Sequence, residues 1–368
     1  MYRNPFRFYA IALFFVCTCI LHALPLRAQA RGTAESQSYR ALCASLDPAL
    51  VYQQVERGVV KVLTEIDVDV KTVNGKPTLL FFGSAVYRGN GEFITNDHVI
   101  NPEPWKNRRL FVETDDGKKY PATVLWNDPV HDLAKISIAQ HFNLPVLAFG
   151  NSKNLLVADQ VFSVGYQFGN KTFTSGSVAS LEVKITQPLM ELDITFNSGT
   201  SGGATFTCDG NIIGINIARL PGLGFIIPID VVRQIEQHMD KFKTASYGSL
   251  GVSFVSVHLA TQSDLQKFGI PPGRYDSGML ITAIRQNSAA LKAGLEPGDI
   301  VVAVDDTILY HQYQFSRKVL YTPPGTTLSL SVLKRDGREV RLSARINKAD
   351  DETIKGVVSQ LKFLDRDI

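Results

Sequence analysis

The stretch Asn197-Ser198-Gly199-Thr200-Ser201-Gly202-Gly203-Ala204 decides how the rest of the chain is read. A serine set among glycines has two readings. One is a flexible Gly/Ser loop. The other is a nucleophile on a tight turn, with neighbouring backbone N–H groups aimed at a developing oxyanion; glycines there allow close approaches that a Cβ would block. The choice between the two lies upstream. Phe93-Ile94-Thr95-Asn96-Asp97-His98-Val99-Ile100 sets a histidine directly after an apolar strand and a turn. Asp128-Pro129-Val130-His131-Asp132-Leu133-Ala134-Lys135-Ile136 sets Asp132 at the opening of another strand. Singly, each has a plain structural reading: a surface or satisfied core histidine, and a turn acid. Together they give the chain order His98, Asp132, Ser201. In such a set the imidazole takes the serine proton, and the carboxylate fixes the tautomer and stabilises the imidazolium.

The surroundings are rich in strand signals. Asp47-Pro48 supplies a capping acceptor and a proline for the first helical position, which predicts a short helix to about Arg57. Apolar and β-branched runs then follow at 59–70, 78–87, 110–113, 122–126, 134–138, 161–164 and 176–185, with turns at Gly89-Asn90-Gly91 and Asp115-Asp116-Gly117. Short strands at this spacing predict an all-β barrel or sandwich. On an all-β chain the order His, Asp, Ser points to the chymotrypsin type, since α/β-hydrolases and subtilisins use other orders.

These motifs resemble those of the HtrA/Deg family of chymotrypsin-fold serine proteases. Thr95-Asn96-Asp97-His98-Val99 is similar to the family's T-N-x-H-V motif, 128–136 to its D-x-x-x-D-L-A motif, and Gly199-Thr200-Ser201-Gly202-Gly203 to its G-N-S-G-G motif. Leu144-Pro145, Ser163-Val164-Gly165-Tyr166-Gln167-Phe168-Gly169 and Gly214-Ile215-Asn216 lie where the family has similar stretches, and the likeness covers most of residues 50–345. The resemblance implies a mainly β fold, a double β-barrel followed by an α+β PDZ domain. It makes Ser201 the nucleophile, His98 the general base and acid, and Asp132 the orienting acid, with Asp128 second in line for that role. The N–H groups of Gly199 and Ser201 would form the oxyanion hole. Backbone of Asn216, Ile217 and Ala218 would pair with substrate by strand addition. Ile194 and Thr195 would wall the pocket for the residue before the cut. Asp193 suggests a basic residue there, whereas Ile194, Thr195 and Ile217 favour a small aliphatic one. The chain departs from the family at Thr200, where Asn is usual, at Ala204, where Pro is usual, and in the segment 192–198. These departures bear on whether the oxyanion hole is formed at rest.

A second module begins after a helix predicted over 228–243. Ser288-Ala289-Ala290-Leu291-Lys292-Ala293-Gly294-Leu295-Glu296-Pro297-Gly298-Asp299-Ile300 combines an N-capped short helix with a Pro-Gly turn before a strand, and it resembles a bacterial PDZ domain. Such domains bind C-terminal peptides as an added strand, with a loop of N–H groups holding the carboxylate. Ser249-Leu250-Gly251-Val252 matches that loop. A helix over 312–320 would flank the groove with Phe315, Ser316 and Val319. The alternative is a PDZ domain that only packs on the protease or helps it assemble.

The organisation expected is a signal peptide over 1–30, a linker or arm over 31–47, a trypsin-like domain over 48–243, a PDZ domain over 246–347 and a tail over 348–368. Arg3 and Arg7 precede an apolar run from Phe8 to Leu21, and Ala28-Gln29-Ala30 fits signal cleavage after Ala30. A retained membrane anchor is the competing reading, weakened by His22, Pro25 and a run short of the ~20 apolar residues a span wants. The formal charge is +3; without the arginines of the first 30 residues, basic and acidic residues balance at 35 each. That argues against nucleic acid as a partner. Cys43 and Cys208 remain after the leader and could pair in an oxidising compartment. No cysteine or histidine cluster suggests a metal, and no cofactor is expected.

The leading expectation is therefore an exported, periplasmic, ATP-independent serine endopeptidase acting on unfolded or misfolded envelope proteins, with its PDZ domain binding C-terminal peptides and regulating activity. A homotrimer is what the family resemblance implies. The alternatives are a non-catalytic chaperone or peptide-binding adaptor, and a narrow-specificity sensor protease.

Overall fold

The computed structural model describes residues 34–362 apart from 68–77, 102–107, 141, 184, 218–223, 272 and 274. The leader, residues 73–77 and Ala218 lie outside the described residues. The chain opens with two helices, α1 (Ala34–Ser45) and α2 (Pro48–Val55). Asp47 caps α2 through its side chain on the Ala49 N–H, and Pro48 occupies the first turn, as the sequence predicts.

Six strands then close a first barrel: β1 (Val59–Asp67), β2 (Thr78–Gly89), β3 (Glu92–Thr95), β4 (Arg108–Glu113), β5 (Lys119–Asp128) and β6 (Leu133–Ile138), in the order β1-β2-β3-β6-β5-β4. A one-turn helix, α3 (Asp97–Ile100), leaves the end of β3. A second barrel is closed by β7 (Gln160–Gln167), β8 (Asn170–Ser180), β9 (Met190–Leu192), β10 (Ala204–Phe206), β11 (Ile212–Ile217) and β12 (Gly224–Pro228), in the order β10-β11-β12-β9-β8-β7. Every strand pair in both barrels is antiparallel. Closure removes the free strand edges that would otherwise invite aggregation. Val62, Phe93 and Ile136 fill the first barrel, and Met190, Phe196 and Ile226 the second. Another buried cluster, including Val86, Leu133, Val164 and Ile215, draws on strands of both barrels.

One predicted strand is displaced. The 176–185 run does not pair throughout. The hairpin partner of β7 starts at Asn170, and β8 ends at Ser180. Residues 181–183 and 185–189 leave the sheet and meet the second module instead. The segment expected to be a linker or arm holds α1 over most of its length. That helix is tied to the second barrel by a Cys43–Cys208 disulfide with Cα atoms 5.4 Å apart, by an Arg40–Asp159 ion pair at 2.9 Å, and by the Tyr39 hydroxyl on the Gln160 carbonyl.

α4 (Ile229–Phe242) leads out of the barrels and ends at Lys243 in the left-handed region. The second module carries β13 (Gly248–Ser249), β14 (Val252–Ser256), α5 (Gln262–Lys267), β15 (Met279–Ile284), α6 (Ala289–Lys292), β16 (Ile300–Val304), β17 (Thr307–Ile308), α7 (Gln312–Leu320), β18 (Thr327–Leu333), β19 (Glu339–Arg345) and β20 (Asn347–Lys348). Its main sheet runs β14-β15-β16-β18-β19. Ser288 caps α6 on the Leu291 N–H, as its position predicts. A final helix, α8 (Asp351–Lys362), follows. Among the described residues no helix is long and apolar enough to cross a membrane.

Candidate active site

The histidine and the aspartate meet at the ends of two neighbouring strands of the first barrel. β3 ends at Thr95, α3 begins at Asp97, and His98 sits in that single turn, its side chain 40% exposed. The Asp132 carboxylate accepts from His98 twice. One oxygen lies 3.0 Å from the backbone N, and the other 2.7 Å from Nδ1. Asp132 itself is buried, and Asn96 donates to its carbonyl at 2.8 Å. With Nδ1 held by the carboxylate, Nε2 is the nitrogen left to take a proton. Asp128 does not reach His98 in this way; its carboxylate is 2.7 Å from Nδ1 of a different histidine, His131.

The serine turn is wedged between the barrels. Gly202 has φ +83°, and a Cβ there would lie 2.0 Å from the Ser84 carbonyl oxygen and 2.4 Å from Thr95 Oγ1, three residues before His98. Gly199 has φ +95°, and its Cβ would fall 2.1 Å from the Tyr166 carbonyl oxygen. Both positions therefore require glycine on conformation and on space. Ser84, not singled out from the sequence, stitches the turn to the first barrel. Its N–H donates to the Ser201 carbonyl at 2.7 Å, its hydroxyl donates to the Gly199 carbonyl at 2.8 Å, and the Tyr166 N–H donates to that hydroxyl at 2.8 Å. Gly83-Ser84, two small residues inside the apolar run 78–87, was the only sequence trace of this contact.

The direction of the Ser198–Gly199 peptide follows from one bond. The Ser198 carbonyl accepts from the Phe168 N–H at 2.8 Å. A trans peptide points its C=O and N–H to opposite sides, so the Gly199 N–H faces away from the 166–169 turn. Thr200, where the family usually has Asn, is accommodated: its N–H donates to the Asn197 carbonyl at 3.1 Å, and its hydroxyl donates to the same oxygen.

The residues expected to contact substrate separate into two groups. Ile194 and Ile217 are buried and apolar, and Thr195 is exposed beside Ile194. Asp193 turns to β8, where its carboxylate accepts from the N–H and, at 2.8 Å, the hydroxyl of Ser177. That occupation removes the sequence argument for a basic specificity. Asn216 requires a correction. Its N–H donates to the Gly203 carbonyl at 2.9 Å, and its carbonyl accepts from the Gly202 N–H at 3.1 Å. Its buried side chain bridges Ser163 Oγ and Thr205 Oγ1. Asn216 thus holds the serine turn in register and presents no free backbone donor to a peptide.

In the second module, Ser249, Leu250, Gly251, Val252, Phe315 and Val319 converge on one cavity of about 1240 Å³. Gly251, at φ +72°, shapes the loop, and Leu250 anchors it by accepting from the Ala290 N–H at 3.0 Å. Leu250 and Phe315 are nearly fully buried and serve also as core. Residues 352, 353 and 355–357 of α8 form part of the cavity's rim, a wall that was not predicted.

Two closed barrels, a carboxylate–imidazole pair on the first and a glycine-flanked serine between them define a chymotrypsin-type peptidase scaffold joined to a peptide-groove module. The comparisons agree. Residues 83–215 match the trypsin-like peptidase domain and residues 248–346 match the PDZ domain. A probable periplasmic serine endoprotease DegP-like of Chlamydia pneumoniae is 31% identical over 277 residues, covering 72% of this chain and 54% of that protein. The periplasmic serine endoprotease DegP of Escherichia coli K12 is 27% identical over 288 residues, covering 74% and 58%. The solved HtrA-type protease AlgW with decapeptide superposes with a TM-score of 0.69 at 24% identity, covering 83% of this chain and 99% of that one. The chain belongs to the HtrA/Deg family of chymotrypsin-fold serine proteases, here with one PDZ domain. It spans a little over half the length of the curated relatives it matches.

Proposed function

We propose that the chain is a serine endopeptidase of the cell envelope that cleaves unfolded polypeptides without ATP, with residues 48–243 forming the catalytic domain and 246–347 the PDZ domain. The 2.7 Å contact between His98 Nδ1 and Asp132 carries this reading, because it orients an imidazole beside a glycine-flanked serine. Ser201 attacks the scissile carbonyl, His98 Nε2 takes the hydroxyl proton and later returns it to the leaving amine, and Asp132 stabilises the imidazolium. The outward Gly199 N–H, with that of Ser201, receives the oxyanion. The apolar Ile194 and Ile217 favour a small aliphatic residue before the cut.

The relatives are named periplasmic, which supports export, with the 1–30 leader removed after Ala30. The PDZ groove takes C-terminal peptides through the 249–252 loop; the AlgW structures with decapeptide and tripeptide support peptide binding in such a scaffold. A homotrimer is the assembly proposed. The test is mature protein against Ser201→Ala, each incubated with unfolded casein and with a fluorophosphonate. Turnover and labelling by the first alone are expected. Equal loss of casein in both would refute the assignment.

A further inference from the structure

Asp128 and His131 form a second carboxylate–imidazole pair one residue from Asp132, and its other neighbours come from outside the barrels. The Asp128 carboxylate accepts from the N–H groups of Val130 at 3.1 Å and His131 at 3.2 Å, from the Tyr247 hydroxyl, and pairs with His131 Nδ1 at 2.7 Å. Tyr247 belongs to the connection between α4 and β13. The His131 ring stacks on Tyr321, at the end of α7, with centroids 4.7 Å apart and planes 23° from parallel. Gln187 donates to the His131 carbonyl at 2.8 Å, and Arg317 of α7 donates to the Gln187 carbonyl at 3.0 Å. Val130 is fully buried in a cluster with Tyr247, Leu320 and Ala349, against which Ile354 and Val357 of α8 pack. The outer face of the aspartate turn is thus made of the PDZ module, its linker and the terminal helix.

The inner face of the same turn is under conformational constraint. Asp132 sits at φ +56°, in the left-handed region, which is uncommon for a non-glycine residue although aspartate adopts it more readily than most. Asp128 bonds to the two N–H groups preceding Asp132, which sets the turn that imposes this conformation. The two bonds from Asp132 to His98 depend on it.

We propose that His131 and Tyr321 are positioning residues: through the Asp128–His131 pair, the docked PDZ domain holds Asp132 in the conformation that orients His98. α7 is also the wall of the peptide groove, with Val319 on the groove and Tyr321 on the seam. A displacement of α7 therefore acts on the orienting acid of the triad through the Asp128–His131 pair, by a route separate from the serine turn. This inference rests on the protease reading above.

The test compares Tyr321→Leu, which keeps apolar volume but removes the stacked ring, with Tyr321→Phe, which keeps the ring. The substrate is a small activated ester that does not reach the groove, and thermal unfolding is followed for each protein to establish that it is folded. Tyr321→Leu is expected to lower kcat roughly 10–100-fold, the scale of a 1 Å misplacement of a catalytic group. KM and the rate of Tyr321→Phe should stay within about twofold of the starting protein. His131→Asn should fall between the two. A second readout needs no turnover. The low-field Nδ1–H proton resonance of His98 reports its bond to Asp132; it should move in Tyr321→Leu and stay in Tyr321→Phe. Folded Tyr321→Leu protein with unchanged kcat and an unchanged His98 proton overturns the inference. If Ser201→Ala hydrolyses the ester as fast as the starting protein, the protease reading fails instead, and the His98 proton alone decides the coupling.

Discussion

Replacing Gly199 by Ala separates the oxyanion donor from the rest of the site. The new Cβ would lie 2.1 Å from the Tyr166 carbonyl oxygen, 3.2 Å from its carbon and 3.4 Å from the Phe168 nitrogen. An ordinary carbon–oxygen contact exceeds 3 Å, so the turn must yield by about 1 Å. Residue 199 also sits at φ +95°, where an alanine is strained by about 1–3 kcal/mol. The response falls on the Ser198–Gly199 peptide, since the Gly199 carbonyl is held by Ser84 and the Thr200 N–H by Asn197. Its rotation breaks the Phe168–Ser198 bond and turns the residue-199 N–H out of line. Loss of one oxyanion donor lowers kcat about 10²–10³-fold. The donor acts on charge that appears only in the transition state, so KM should change much less than kcat. The assay is ester and peptide kinetics beside urea unfolding at one pH. A folded Gly199→Ala protein with kcat within about threefold of the starting protein would refute the assignment of this N–H.

Two further predictions concern stability. Burial, and then the nearby Asp132 charge, raise the Asp97 carboxyl from 3.8 to about 6, against lowering bonds from Asn127 and Asn101. Because the folded pKa lies above the unfolded one, its contribution is complete below about pH 4 and is lost as pH rises through 6; Asp97→Asn should therefore stabilise the protein on the order of 1–3 kcal/mol at pH 7.5 and do little at pH 4, read by urea unfolding at both. The Cys43–Cys208 bond closes a 165-residue separation and pins α1 to the second barrel. Cys43→Ser, or reduction, should lower unfolding stability by about 2–4 kcal/mol and expose α1 to limited proteolysis; unchanged urea midpoints with and without reductant would count against it.

The barrels and the order of the three motifs were legible because each is written locally: β-branched runs between turn residues, a capped turn after an apolar strand, glycines around one serine. What was not legible depends on contacts between distant segments. Ser84 is an unremarked small residue until the serine turn, 117 positions on, closes over it. Asn216 reads as one of a run of strand residues facing substrate; only the pairing of its backbone with Gly202 and Gly203 shows that those groups are already used. Residues 181–183 and 185 have strand composition, yet β8, which pairs with β7 from Asn170, ends at Ser180, and the Val183 N–H turns to the Leu189 carbonyl. Arg317 takes up the carbonyls freed there, accepting none and donating to those of Val183, Thr186 and Gln187. The α1 arm is polar and weakly amphipathic, so a disulfide and the polar contacts of Tyr39 and Arg40, rather than an apolar stripe, fix it to the barrel.

The aspartate motif shows why one short turn can serve two ends. Its first acid and its last differ in what they face. Asp132 looks inward to His98, while Asp128 looks outward to His131 and Tyr247. The Asp128 carboxyl lies below its usual range. Burial opposes that shift, and the His131 and Tyr247 contacts outweigh it. A buried carboxylate of this kind is strongly destabilised when a partner is removed, because an uncompensated charge remains. The barrel itself supplies His131, but Tyr247, which also bonds Asp128, belongs to the linker, and Tyr321, on which the His131 ring stacks, belongs to α7. Folding of the first barrel around Asp128 is therefore completed by the PDZ domain, and the geometry of Asp132 inherits that dependence.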